Sequence, residues 1–359
     1  MYSAASNTFV SIQYLRALAA ILVVVQHANT GPIHIDILRP DLAAFGVDLF
    51  FVISGYIMWA TTAATARTPG QFWVARIIRI VPLYWAFTSL YLAIALLHPA
   101  VLQNPSTDPA HIVKSYAFVP AVHPALGNIS PVYSLGWTLN YEMFFYLVFG
   151  IALLIRSRAA RLAAITMALG GLVAAGLAWR PTAPIMQTYT SELLLEFLCG
   201  TLIATTSERL MSWGARAAGP MLGIAMLWLV AVYSGKFSGG HFAMLGFPAA
   251  LTVAGLLALE RTLRRRPLST GLLVGDASYS LYLSHPFAQR AIYLVLPTAA
   301  AAANPVIGLL CIALASMVAI LCAIAIYRVI EQPTLAVLRQ GARRQAANVS
   351  ATPQTNQGF

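Results

Sequence analysis

The chain has 359 residues, of which 59% are hydrophobic and 9% charged. A soluble domain is nearer half apolar and a quarter charged, so this composition excludes an ordinary globular fold and points to membrane segments joined by short connections. The net charge of +11 does not imply a nucleic-acid partner, because the positive residues sit in loops on one side of the apolar stretches.

Windows of about 20 apolar residues predict ten transmembrane helices, at about 11–29, 42–62, 81–98, 136–155, 162–179, 190–206, 218–234, 241–260, 272–296 and 305–329. The expected fold class is therefore all-α, a polytopic integral membrane protein, with residues 1–335 as one transmembrane domain. Residues 336–359 read as a polar, disordered cytoplasmic tail. With a cytoplasmic N-terminus, sixteen Arg fall in cytoplasmic loops and ends, and four Lys or Arg fall outside. That asymmetry places both termini in the cytoplasm.

The first stretch, IQYLRALAAILVVVQHA from Ile12 to Ala28, has no basic n-region before it and no cleavage signal after it, so a retained helix is expected. It carries Arg16 near its inner end and His27 near its outer end. Charged groups cost a few kcal/mol or more inside a bilayer, so both are expected to face a protein interior or a wet cavity. Eleven residues make about three turns, which puts the two on one face about 16 Å apart.

The second stretch starts on the outside and holds Asp48. Before the third, FWVARIIRIVPLYW presents Arg76 and Arg79 at a spacing that shares a helical face, suited to charge-assisted contacts with phosphate. The outer connection 99–135 contains six prolines together with His111 and His123, and a loop of that length is functional or disordered. The fourth stretch opens SLGWTLNYEMFFY, which places Trp137, Asn140 and Glu142 in its outer third. His27, Asp48 and Glu142 are thus expected at one depth, as a general base with orienting carboxylates. The ninth, GDASYSLYLSHPF, brings Tyr282 and His285 toward the same interior as pocket residues, with Arg290 further out.

Each of these residues also has a structural reading: an interfacial imidazole for His27, ion pairs for Glu142, Asp48 and Arg290, and positive-inside anchoring for the Arg pair. Cys199, Cys311 and Cys322 lie in apolar segments and read as small packed residues. There is no HExxH motif and no Walker loop, and His and Cys do not cluster at metal-ligand spacing, so neither a metal nor a permanently bound cofactor is expected.

Six segments, IQYLRALAAILVVVQHA, FGVDLFFVISGYIMW, FWVARIIRIVPLYW, SLGWTLNYEMFFY, DASYSLYLSHPF and IEQP, resemble in order and spacing the acyltransferase-3 family of integral-membrane acyltransferases. The first and fourth look most like the branch that acetylates bacterial exopolysaccharide. The resemblance implies O-acetyl transfer from acetyl-CoA, as co-substrate, to a hydroxyl of an extracytoplasmic or lipid-linked polysaccharide, at the inner membrane of a bacterium. It also implies roles for Arg16 and His27, for Arg76 and Arg79 in handling the acyl donor, and for Glu142. The expected partners are acyl-CoA, the polysaccharide acceptor and membrane lipid. The competing class is a transporter of glycan or lipid-linked sugar without transferase chemistry; such proteins commonly show internal repeats, and no repeat is visible here.

Overall fold

A computed structural model describes residues 9–30, 32–35, 41–64, 68–102 and 104–351. Arg39, Arg67 and residues 352–359, which entered the expectations above, lie outside the described residues. The described chain is helical, apart from loops and one isolated antiparallel bridge between Val122 and Ile129. In order the helices are α1 (Val10–Asn29), α2 (Asp41–Ala64), α3 (Pro69–Leu97), α4 (Pro109–Tyr116), α5 (Trp137–Ala152), α6 (Arg158–Trp179), α7 (Pro184–Tyr189) and α8 (Leu194–Trp213). There follow α9 (Ala215–Tyr233), α10 (Phe247–Ala258), α11 (Glu260–Leu263), α12 (Ser269–Asp276), α13 (Ser278–Tyr293), α14 (Thr298–Ala303), α15 (Pro305–Ile326) and α16 (Gln332–Ala351).

Among the described residues, six helices are long and apolar enough to cross a bilayer: Val10–Asn29, Leu42–Thr62, Pro69–Leu97, Arg158–Trp179, Ala215–Tyr233 and Pro305–Ala342. The other four expected windows also fall on helices, which are shorter or more polar: α5, α8, α10 with the π-turn before it, and α13. The third helix begins at Pro69 and not near residue 81. Thr68 forms a reciprocal capping box with Gln71, and proline occupies the first turn, so the start is fixed well ahead of the apolar window. Arg76 and Arg79 therefore belong to the helix itself. At the other end, a π-turn at Tyr327–Glu331 joins α15 to α16, so the described part of the expected tail is helical to Ala351.

Helix directions are set by specific contacts. The Gln13 amide donates to Asp276 Oδ1 (2.8 Å) near one end of α1, and Gln289 donates to Val24 O (2.8 Å) and Tyr293 to Ala28 O (2.6 Å) near the other. So α1 and α13 run parallel. By contrast α2 is antiparallel to α1, since Gly46 packs on Ala19 and Val23 while Tyr56 meets Phe9 edge-on at 5.7 Å.

Helices α2 and α8 cross closely. A Cβ on Gly55 would lie 2.0 Å from Phe197 O, and one on Gly200 would lie 1.9 Å from Val52 O. Each helix thus presents a glycine to the other's backbone, which lets the axes approach as small residues allow in membranes. Gly200→Ala must force the helices apart; it is expected to destabilise by about 1–3 kcal/mol, the usual cost of overpacking. Gly170→Ala, in α6 with nothing within 4 Å of its Cβ position, is the control and is expected to be neutral or slightly stabilising. Thermal unfolding of the detergent-purified chain measures both.

The long connection after α3 is ordered. Tyr84 donates to Ser115 O (3.1 Å), Val132 N donates to Ser115 Oγ (2.9 Å), and buried Tyr133 donates to Leu283 O (2.6 Å), so this segment is tied to the bundle. Within it His111 and His123 stack edge to face at 5.1 Å. Burial lowers the pKa of both below the usual histidine value, and for His111 the neighbouring His123 lowers it further. Cys311 is buried, Cys199 half-buried and Cys322 exposed, all free.

Candidate functional site

A cavity of about 270 Å³ lies between α1, α2, α3, α5, α13 and α16. Its polar lining includes Arg16, Arg76, Arg79, Arg339, Ser54, Thr138, Glu142, Tyr146, Tyr279 and Tyr282, and its apolar wall includes Val47, Phe50, Ile53, Ile57 and Leu139. Four guanidiniums and one carboxylate line it, and although Glu331 behind the wall pairs with Arg79, the lining has an excess of positive charge of the kind that attracts anions. At this size it suits one end of a long ligand, since pockets that enclose a drug-sized molecule run to about 300–1,000 Å³.

Three of the four arginines are held by their surroundings, and Arg339 is exposed. Arg79 pairs with Glu331, whose other oxygen accepts from Ser280 Oγ (2.5 Å), and its guanidinium lies over the Tyr279 ring at 5.3 Å. Arg76 sits over Phe72 and Tyr146, 6.0 Å from each centroid. Arg16 donates to Gln13 Oε1 (3.2 Å), and Gln13 in turn reaches Asp276. The Arg pair is thus interior, half-buried among aromatic rings, and not a solvated anchor at the membrane surface.

Glu142 belongs to this cavity. It accepts from Tyr146, four residues on along the same face, and from Ser54 Oγ on α2 (3.2 Å). The expectation that it stands beside His27 is corrected: the antiparallel α2 places Ser54 near the Arg16 end of α1, and Glu142 goes with it. Asp48 is also apart from His27. It is buried and bonded to His241 Nε2 (2.9 Å), on the side of α2 that faces α8 and the start of α10.

The neighbour of His27 is His285. Their rings meet edge to face with centroids 5.0 Å apart, His27 half-buried and His285 fully buried. His27 Nδ1 lies 2.8 Å from Val23 O and His285 Nδ1 lies 3.1 Å from Leu281 O. A carbonyl only accepts, so each Nδ1 carries a proton, and in the neutral form of such a ring Nε2 is the basic atom. The Tyr282 ring is 6.4 Å from that of His285, and the Tyr282 hydroxyl donates to Leu135 O (2.9 Å) beside Thr138 in the cavity wall. From Tyr279, over which Arg79 sits, α13 therefore climbs through Tyr282 to the imidazole pair.

Of the remaining expected residues, Asn140 is buried and Trp137 packs edge-on to Tyr141 at 5.9 Å; neither lines the cavity. Arg290 is exposed. Sequence reasoning did not single out Glu331, Ser54 or Tyr146 as site residues. Tyr146 was within reach, because it follows Glu142 at helical spacing, and Glu331 lies in the IEQP segment. Nothing local marks Ser54.

An acyltransferase domain, that of the acyltransferase-3 family, matches residues 9–328. The chain is 36% identical over 318 residues to the exopolysaccharide production protein ExoZ of Rhizobium meliloti (strain 1021), a match that covers 86% of this chain and 94% of that one. It is 30% identical over 161 residues to the peptidoglycan O-acetyltransferase OatA of Listeria monocytogenes serovar 1/2a (strain ATCC BAA-679 / EGD-e), over 40% of this chain and 24% of that protein. No solved structure shows a significant match.

Proposed function

This chain belongs to the acyltransferase-3 family and is an acyltransferase, and from that premise we propose that it carries an acetyl group from cytoplasmic acetyl-CoA to a hydroxyl of an exopolysaccharide outside the cytoplasmic membrane of a bacterium. The observation that carries the reading is an arginine-lined cavity reaching Tyr282 on α13, with two imidazoles packed together one turn further along that helix, at His285 and its neighbour His27. Ten membrane crossings with both termini in the cytoplasm accord with it. The positive-inside bias supports that topology, and the parallel run of α1 and α13 agrees, since both then cross from inside to outside.

In this reading the phosphates of acyl-CoA are held by Arg76 and Arg79, with Arg16 and Arg339 at the same level, and the pantetheine arm rises past Tyr282. His27 Nε2 takes the proton of the acceptor hydroxyl as its oxygen attacks the thioester carbonyl. The carbon–sulfur bond breaks, the thiolate leaves, and the imidazolium returns the proton to sulfur. The products are an O-acetyl ester and free CoA. His285, bonded to the backbone and packed against His27, fixes the ring's orientation. Glu142 offsets part of the arginine charge and holds Tyr146 and Ser54 across the cavity. Asp48, Trp137 and Asn140 have no place in these steps.

Inverted membrane vesicles with polysaccharide enclosed in the lumen and acetyl-labelled acetyl-CoA supplied outside test the proposal. Label is expected on the glycan as an alkali-labile ester, and NMR of the host's polysaccharide should lose acetyl signals when the protein is absent. Polysaccharide movement without label, or unchanged acetyl content, rules it out.

A further inference from the structure

Asp48, Glu196 and His241 come from α2, from the first turn of α8 and from the residue that opens the π-turn Phe242–Gly246. One ligand atom from each lies within 4.8 Å of the others. His241 Nε2 is 2.9 Å from Asp48 Oδ1 and 3.7 Å from Glu196 Oε1. Asp48 is 1% and Glu196 0% exposed. Neither Glu196 oxygen nor Asp48 Oδ2 accepts from an N–H or O–H of any residue outside the pair, and the two carboxyl groups lie within hydrogen-bond reach of each other. Among the described residues no Lys or Arg pairs with either carboxylate.

Two buried carboxylates facing one imidazole make an unbalanced set. A protonated His241 offsets one carboxylate, and the second, wholly buried, must then either share a proton with its neighbour or meet a cation, because a buried ion without compensation is costly. Glycines let the carboxylates approach the backbone closely: a Cβ on Gly246 would lie only 3.0 Å from Glu196 Oε1, and one on Gly240 only 2.5 Å from Oε1 of the neighbouring Glu192. Glu192 is already engaged, accepting from Phe242 N (2.9 Å). The π-turn widens the helix where His241 must face inward, a distortion frequent at functional sites.

We propose that Asp48, Glu196 and His241 form a binding site for a divalent transition-metal ion of the zinc class. Bonds of about 2.0–2.1 Å to a tetrahedral ion set ligand atoms about 3.3 Å apart, which the observed 2.9 and 3.7 Å bracket. The imidazole favours zinc over magnesium or calcium, which prefer oxygen alone. Three protein ligands leave a fourth position, and His241, at 39% exposure, marks the side from which an ion enters. The two carboxylates and the ion sum to zero charge. The ion ties α2, α8 and the start of α10 at one point, two turns along α2 from the Ser54 that faces the arginine cavity. The ligands lie 148 and 45 residues apart in sequence, so no spacing motif announces them.

The test uses the full chain purified in detergent, stripped with a chelator, reloaded with zinc chloride alone and washed. The expected result is about one zinc per chain by elemental analysis, and a thermal midpoint raised by zinc and lowered again by chelator, as for any ligand bound to the folded state only. His241→Ala, which alters a partly exposed side chain, and Glu196→Gln should each reduce zinc to background and remove the shift. Background zinc in the parent chain with an unchanged midpoint overturns the proposal, and then the two carboxylates share a proton. Zinc retained in both variants overturns it too, since the ion is then elsewhere. An equal shift from magnesium overturns the assignment of class.

Discussion

His27→Ala is expected to abolish acetyl transfer while leaving the protein in the membrane. A positioned general base contributes about 10²–10⁴-fold, so the drop in turnover should fall in that range or below detection. The side chain is only half-buried and its bond runs to a carbonyl of its own helix, so its removal should leave the bundle intact. His285→Ala is the informative companion. It is fully buried and packs edge-on to His27, so its loss frees the reacting ring to rotate. Turnover should fall less steeply than in His27→Ala, with little change in the KM for acetyl-CoA, because the donor's phosphates bind elsewhere. Labelled acetyl-CoA in vesicles, normalised to the amount of folded protein, measures both. Normal glycan acetylation by His27→Ala would remove the base from the mechanism. An effect of His285→Ala on donor KM alone would remove the positioning role.

Much of the fold was legible, because apolar length and loop charge are one-dimensional properties. All ten expected windows fall on helices, and Arg16 and His27 do face the interior from two levels of α1. What failed was the assignment of partners by depth. Glu142 was placed near His27 because both lie near outer helix ends, yet hydrogen bonds to Ser54 and Tyr146 draw it to the arginines. Counting residues from a helix end fixes a level to within about a turn, whereas the partner depends on how helices lean and cross. The glycines Gly55 and Gly200 set such a crossing, and nothing in the local sequence says which backbone each will meet. The same holds for Asp48, whose partners come from two helices far along the chain. His285 was expected as a pocket residue but does not line the arginine cavity; its place as the neighbour of His27 required the parallel run of α1 and α13.

Glu331→Gln should be among the most damaging single substitutions in the chain. Glu331 is buried, pairs with Arg79 and accepts from Ser280. Removing its charge leaves a guanidinium without a counter-ion inside the bundle, a change that costs about 3–5 kcal/mol in buried pairs. Folded yield and thermal midpoint should both fall sharply. Replacing both partners, as Arg79→Met with Glu331→Met, removes the uncompensated charge, and such swaps are often close to neutral for stability. The double variant is therefore expected to recover most of the midpoint lost by Glu331→Gln. Its activity should not recover, because Arg79 is proposed to grip the donor's phosphates as well as Glu331: KM for acetyl-CoA should rise at least tenfold, about 1.4 kcal/mol, the low end for a charge-assisted contact. Thermal unfolding and donor titration on the same preparations separate the two roles. A double variant with restored stability and unchanged KM would make Arg79 a structural partner of Glu331, and would leave Arg76, Arg16 and Arg339 to hold the donor.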